Sequence, residues 1–340
     1  MDINDESNPL HQNERFQMFW LSPALLVIGL VLLGGTSGIV ISSIVAISEK
    51  RKLKKSVLSF LLVAFSTSLP ELSVAVNSII IGNMSVSLGD ILGSNITNIA
   101  LIIGVSLIVG TLTHHNKKGT VIGDEEKREF TTGLMLLSVT LLTLLYLQYI
   151  SRYIGVLLLC IFFGYSFILI RKRKEKTDVV SINKGDETIK KDLILLTVGI
   201  TGIIIGAKLT VDSAIDIASY LGIASSIIGA TLVAFGTSLP EFVVDVRAAY
   251  RGHFEIALGD IVGSCFLNST LILGLLLTFT PFRVNLLVLS DLILFSVVSN
   301  LLLWYFLDSG RLNGREGLVL LAFYTINLLI ILGILVLRAP

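Results

Sequence analysis

The residues from Val63 to Gly104, VAFSTSLPELSVAVNSIIIGNMSVSLGDILGSNITNIALIIG, return at Val233 to Gly274 as VAFGTSLPEFVVDVRAAYRGHFEIALGDIVGSCFLNSTLILG. The two align without a gap at a constant offset of 170 residues, and roughly half of the positions are identical, which chance does not produce over such a length. The chain is therefore a duplicated unit, and any fold that suits one copy must suit the other. Each copy also sets a Pro-Glu pair inside an apolar run, Pro70-Glu71 and Pro240-Glu241. A carboxylate in that setting is costly to bury and marks a functional position.

The medium of those runs follows from composition. With 53% hydrophobic and only 15% charged residues, and a mean hydropathy of +0.85, the chain is too apolar for a soluble globule and belongs in a lipid bilayer. A net charge of +1 supplies no field for nucleic acid. Cys160 and Cys265 lie in apolar runs without paired spacing, so they read as apolar fillers rather than as a disulfide or a structural metal site. Met1 to Gln17 is polar and lacks the basic and apolar regions of a removed signal peptide; it is expected to be a flexible tail.

A run of roughly 20 apolar residues crosses the hydrocarbon core. Such runs fall at 18–48, 56–81, 86–112, 131–150, 153–170, 192–218, 222–249, 255–279, 285–307 and 317–337. The reading is an all-α integral membrane protein of ten transmembrane helices. Breaks are expected at Gly34, Gly35, Pro70, Gly206 and Pro240, so the second and seventh helices should be broken. Five spans per half is an odd number, so the second half enters the membrane opposite to the first, giving two inverted five-helix repeats. The divisions are a tail at 1–17, a first membrane repeat at 18–170, a basic cytoplasmic linker at 171–191 and a second membrane repeat at 192–337. Lys and Arg crowd the loops after odd-numbered spans, while the opposite side holds only Arg15, Arg152, Arg283 and Arg338. Both termini are thus expected to be extracellular, in the cell membrane.

Within each broken span the proline has no N–H to give, and lipid supplies no substitute partner for the carbonyls that it frees. Carbonyls near Ala64 and Ala234, the hydroxyls of Thr67, Ser68, Thr237 and Ser238, and the carboxylates of Glu71 and Glu241 are expected to form an all-oxygen cage. Hard cations such as calcium and sodium favour such ligands. Ser94 and Asn98 lie i to i+4 on one helix face, as do Ser264 and Asn268, and supply a second wall. His11, His114, His115 and His253 lie in the tail or in loops and make no metal site. Neither a Walker-type nucleotide cradle nor a nucleophile elbow occurs, so the reading is not an enzyme and needs no cofactor.

The GTSLPE of one copy, the STSLPE of the other and the G-S-x-x-x-N that follows in both resemble the alpha-repeats of the cation/calcium antiporter superfamily, most closely its prokaryotic sodium/calcium exchangers. The resemblance implies that Glu71 and Glu241 bind calcium and sodium directly. It also implies that Ala64, Thr67, Ser68, Ala234, Thr237 and Ser238 are ligands on the broken helices, and Ser94, Asn98, Ser264 and Asn268 on the next ones. Alternating access is implied too, with the first and sixth spans sliding. Asn268 stands where many such exchangers have aspartate, which leaves two carboxylates in the mapped cage and points to a changed stoichiometry or driving ion.

Asp90 and Asp260, in the repeated LGD, read either as ion-entry carboxylates or as helix N-caps. Asp245 has the uncharged Ala75 as its repeat mate. It reads as an extra cage carboxylate, as an attractor of cations from the cytoplasmic side, or as the partner of Lys208 in an intramembrane ion pair. The expected activity is exchange of calcium for sodium across the bilayer, with no obligatory protein partner. The alternatives are a proton/calcium exchanger and, in another class, a passive calcium channel.

Overall fold

The computed structural model describes residues 9–51, 59–81, 84–114, 122–146, 152–174, 186–220, 234–279, 286–310 and 312–338, which are helical almost throughout, with no strand among them. In lipid a helix satisfies its own backbone, which is why so apolar a chain takes this form. The first half runs α1 (Pro9–Arg51), a π-helical stretch Ser59–Val63, α2 (Ala64–Thr67), α3 (Leu69–Ile81), α4 (Met84–Ile96), a π-helical stretch Thr97–Ile102, α5 (Ile103–His114), α6 (Asp124–Tyr146) and α7 (Arg152–Lys174). The second half repeats the order: α8 (Asp186–Tyr220), α9 (Ala234–Thr237), α10 (Leu239–Tyr250), α11 (Phe254–Leu267), a π-helical stretch Asn268–Ile272, α12 (Leu273–Phe279), α13 (Leu286–Asp308) and α14 (Gly314–Arg338).

Four stretches of the described residues are long and apolar enough to cross a membrane: Leu21–Ile47, Ser87–Thr113, Phe254–Phe279 and Asp291–Asp308. Their outward faces carry large apolar side chains such as Val31, Leu112 and Leu294, as a helix against lipid requires.

Packing matches between the halves. Helix α5 lies on α14 and α12 lies on α7; α6 packs on α11 and α13 on α4; α2 packs on α11 and α9 on α4. The first two contacts are built alike, since Gly104 meets the carbonyl of Gly317 and Gly274 that of Gly155, each with 3.1 Å between the carbonyl oxygen and the place where a Cβ would stand. An aromatic group of Phe60, Phe162, Tyr165 and Phe266 ties α7 and α11 to the stretch before α2.

Helices α1 and α8 form a long pair of their own. Here the glycines expected to break the helices do something else. Both helices are continuous through Gly34, Gly35 and Gly206. Gly206 lies against Gly29 and Leu33, Gly199 against Val40 and Thr36, and Gly202 against Thr36. Glycines on one face bring two backbones together, which in lipid is a main source of helix association. Helix α1 also starts at Pro9, so half of the segment expected as a tail is helical. The linker residues 175–185 and the expected span residues 222–233 lie outside the described residues.

Candidate functional site

The expected breaks are present and match between the copies. Helical order is interrupted at Ser68 (φ −83, ψ 11), between α2 and α3, and at Ser238 (φ −86, ψ 7), between α9 and α10. Pro70 and Pro240 follow at the second position of the next helix, where a missing N–H costs least. That placement puts Glu71 and Glu241 in the first turns of α3 and α10, where the helix N-terminus favours negative charge. The interruption is narrower than expected at Ala64, whose carbonyl accepts from the backbone N–H of Ser68 (3.1 Å) and the hydroxyl of Thr67 (3.4 Å). A helical turn survives there because only the residue four before each proline, Ser66 or Gly236, loses its donor. Ala234 opens α9 at the equivalent position.

The two copies interlock. Ser68 donates to Oε1 of Glu241 at 3.2 Å, and Ser238 donates to Oε1 of Glu71 at 3.5 Å, so each glutamate is held by the other copy's serine. Ser264 adds a second donor to Glu241 at 3.3 Å, and the hydroxyls of Ser94 and Thr237 meet at 3.5 Å. Asn268 reaches Asn95 at 3.5 Å, and Asn95 donates to Ser269 at 2.8 Å. Glu71, Glu241, Thr67, Ser68, Thr237, Ser238, Ser94, Asn98, Ser264 and Asn268 are all buried. Several buried oxygens nonetheless lack a partner: Oε2 of both glutamates, and Oδ1 of both Asn98 and Asn268. Buried polar atoms are nearly always satisfied, so a cluster of unsatisfied oxygens marks a place for a cation.

Asp90 and Asp260 are not helix caps. Each lies well inside its helix, α4 or α11, is buried, and accepts a threonine hydroxyl from the opposite copy: Thr237 to Asp90 at 3.0 Å and Thr67 to Asp260 at 3.4 Å. They therefore lie beside the interlocked break of the opposite copy. Nor does Asp245 pair with Lys208, because Lys208 is exposed while Asp245 is fully buried with neither carboxylate oxygen partnered. Asp216, further along α8, instead accepts from Ser22 of α1 at 3.2 Å. Asn95 and Ser269 were not apparent as site residues in the sequence. Their repeat mates are Cys265 and Ile99, so a search for matched polar positions passes over them. Among the described residues no three His, Cys, Asp or Glu side chains are grouped to hold a metal alone. Hydroxyl and amide oxygens must complete any coordination shell here.

The model of the sodium/calcium exchanger protein family matches residues 21–171 and 191–333. A sodium/calcium exchanger of Methanosarcina acetivorans, MaX1, is 33% identical over 350 residues, covering 90% of this chain and 97% of that protein. An uncharacterised membrane protein of Methanocaldococcus jannaschii is 30% identical over 312 residues, covering 91% and 97%. Among solved structures, the sodium-calcium exchanger NCX_Mj soaked with 10 mM Na+ and zero Ca2+ superimposes with a TM-score of 0.80 at 27% identity, over 91% of this chain and 98% of that one. With the family match spanning both halves and both interlocked Pro-Glu breaks, the chain belongs to the sodium/calcium exchanger family.

Proposed function

We propose that this multi-pass membrane protein exchanges calcium for sodium by alternating access, with the ions bound between Glu71 and Glu241. The observation that carries this reading is the crossed arrangement in which Ser68 holds Glu241 and Ser238 holds Glu71 around unpartnered buried oxygens. The two glutamates match the charge of one calcium ion or of two sodium ions. Left empty, the pair faces itself in a medium of low dielectric, so the carrier crosses loaded and its transport is an exchange. The hydroxyls of Thr67, Ser68, Thr237, Ser238, Ser94 and Ser264, the amides of Asn98 and Asn268, and backbone oxygens near Ala64 and Ala234 complete a shell of the six to eight oxygens that calcium takes.

The reading includes ten membrane spans in two inverted repeats, 18–170 and 192–337, with both termini outside the cell. The odd number of apolar runs in each half supports the inversion, as does the matched packing of α5 on α14 and α12 on α7. The glycine-lined pair α1 and α8 is the element that slides. The test is calcium flux in proteoliposomes with sodium, potassium and proton gradients imposed separately. Uptake driven by the sodium gradient alone is expected. Uptake driven by a proton gradient in the absence of sodium would replace this reading with proton/calcium exchange.

A further inference from the structure

Asp245 lies one helical turn beyond Glu241 on α10 and is fully buried, and neither of its carboxylate oxygens has a hydrogen-bond partner. Asp260 approaches it from α11. Asp260 is fully buried as well, α11 packs against α10, and the carboxyls of Asp245, Asp260 and Glu241 are electrostatic neighbours. One oxygen of this pair has a donor, Oδ1 of Asp260, which accepts from Thr67; Oδ2 of Asp260 does not. The buried charged side chains among the described residues are Glu71, Asp90, Glu241, Asp245 and Asp260, and none is basic. Two carboxylates this close keep both charges only with a cation between them.

We infer that Asp245, Asp260 and Thr67 form a second cation subsite beside the glutamate cage, and that it takes a sodium ion. The occupant follows from the ligand count. Three unpartnered carboxylate oxygens and one hydroxyl fall short of the six to eight oxygens that calcium takes, whereas the glutamate cage offers that many. The subsite is single, because the first copy has Ala75 where the second has Asp245. Thr67 borders both places, so an ion bound at the subsite is felt in the cage. The inference rests on the exchanger reading and concerns how many ions are loaded.

The test uses the purified full chain and three variants, Asp245→Asn, Asp245→Ala (which copies the first repeat) and Asp260→Asn. Thermal unfolding is followed in calcium-free detergent solution against sodium, with choline holding ionic strength constant. Each ion that binds only the folded state adds its own dependence on concentration. The sodium dependence should therefore fall by about one ion in each variant. In proteoliposomes the reversal potential of Asp245→Asn should shift to one fewer sodium per calcium. A variant set with the wild-type sodium dependence and the wild-type reversal potential overturns the proposal. So does equal stabilisation of the wild type by potassium, or a variant that loses dependence on pH in place of dependence on sodium. If the wild type shows no sodium-driven calcium flux, the exchanger reading fails by itself, and the unfolding measurement still decides the subsite.

Discussion

The two copies agree at the glutamates and part company one helical turn later. Both hold a glutamate with the other copy's serine, and both set an aspartate against the other copy's threonine. At the next turn the first copy has Ala75 and the second has Asp245, each buried. A second difference lies at the end of α10. There Arg251 donates to the Gly38 carbonyl at 3.2 Å and to the Ser42 hydroxyl at 2.9 Å, binding α10 to α1. The position 170 residues earlier is Ile81, and among the described residues α3 has no comparable packing on α8. The glutamates and their serine partners are thus kept in pairs, while Asp245 and the Arg251 contacts to α1 belong to the second copy alone. A symmetric cage serves two alternating states equally, and asymmetry beside it gives those states different energies.

The largest effect should come from breaking what the copies share. Glu71→Gln and Glu241→Gln each remove one of the two paired glutamate charges, and sodium-driven calcium uptake in proteoliposomes should fall at least about 100-fold in either, as expected when a buried charge site loses near 3 kcal/mol of binding. A large loss in one and little in the other would mean that the copies divide the work unequally.

Next in size is Gly202→Leu. A side chain there meets Thr36 of α1, and overpacking of this kind costs about 1–3 kcal/mol. The expected result is a lower unfolding temperature in detergent together with slowed exchange, since α1 and α8 would be forced apart.

Thr67→Val and Thr237→Val should then weaken calcium binding by similar factors, about 10-fold each, the worth of one hydrogen bond to a charged group at about 1.5 kcal/mol. Calcium titration of the two variants compares the copies directly. If the subsite is occupied, Thr67→Val should weaken sodium binding more than Thr237→Val does.

The smallest effect belongs to Arg251→Gln. The side chain is exposed, so losing its bonds to Gly38 and Ser42 should cost on the order of 1 kcal/mol. The expected readout is a shift of a few fold in the ratio of forward to reverse exchange rates with calcium affinity retained. An unchanged ratio would show that the contact does not bias the two states.

The sequence made the cage legible because duplication acts as an internal control: a residue that recurs in the same role at two places is seldom there by accident. Glu71 with Glu241, Ser68 with Ser238 and Ser94 with Ser264 were all apparent in that way. The same device hid Asn95 and Ser269, whose mates are unlike them. Asp90 and Asp260 were visible as a pair, but N-cap and cage readings differ only in where the helix starts, and helix ends are poorly fixed by pattern. The glycines of α1 and α8 depart from the expected breaks for a related reason. Glycine both loosens a helix and lets a neighbour come close, and only the partner's position tells which. Lys208 and Asp245 made a plausible ion pair by charge alone; the rotation of α8 that leaves Lys208 exposed is a property of packing that linear spacing does not contain.

The π-helical stretches Thr97–Ile102 and Asn268–Ile272 begin next to or at the two asparagines of the cage. Such a stretch accommodates one residue more than the α-helix around it and turns every later side chain by about 100° relative to an uninterrupted helix. The glycines that seat α5 and α12 against their neighbours, Gly104 and Gly274, lie just beyond these stretches. The extra residue therefore acts as a phase corrector. It lets one continuous span present buried asparagine oxygens at one level and a smooth glycine face to a different helix at the next. Deleting a single residue from either stretch would leave the composition of the span almost intact and turn its upper half away from its seat.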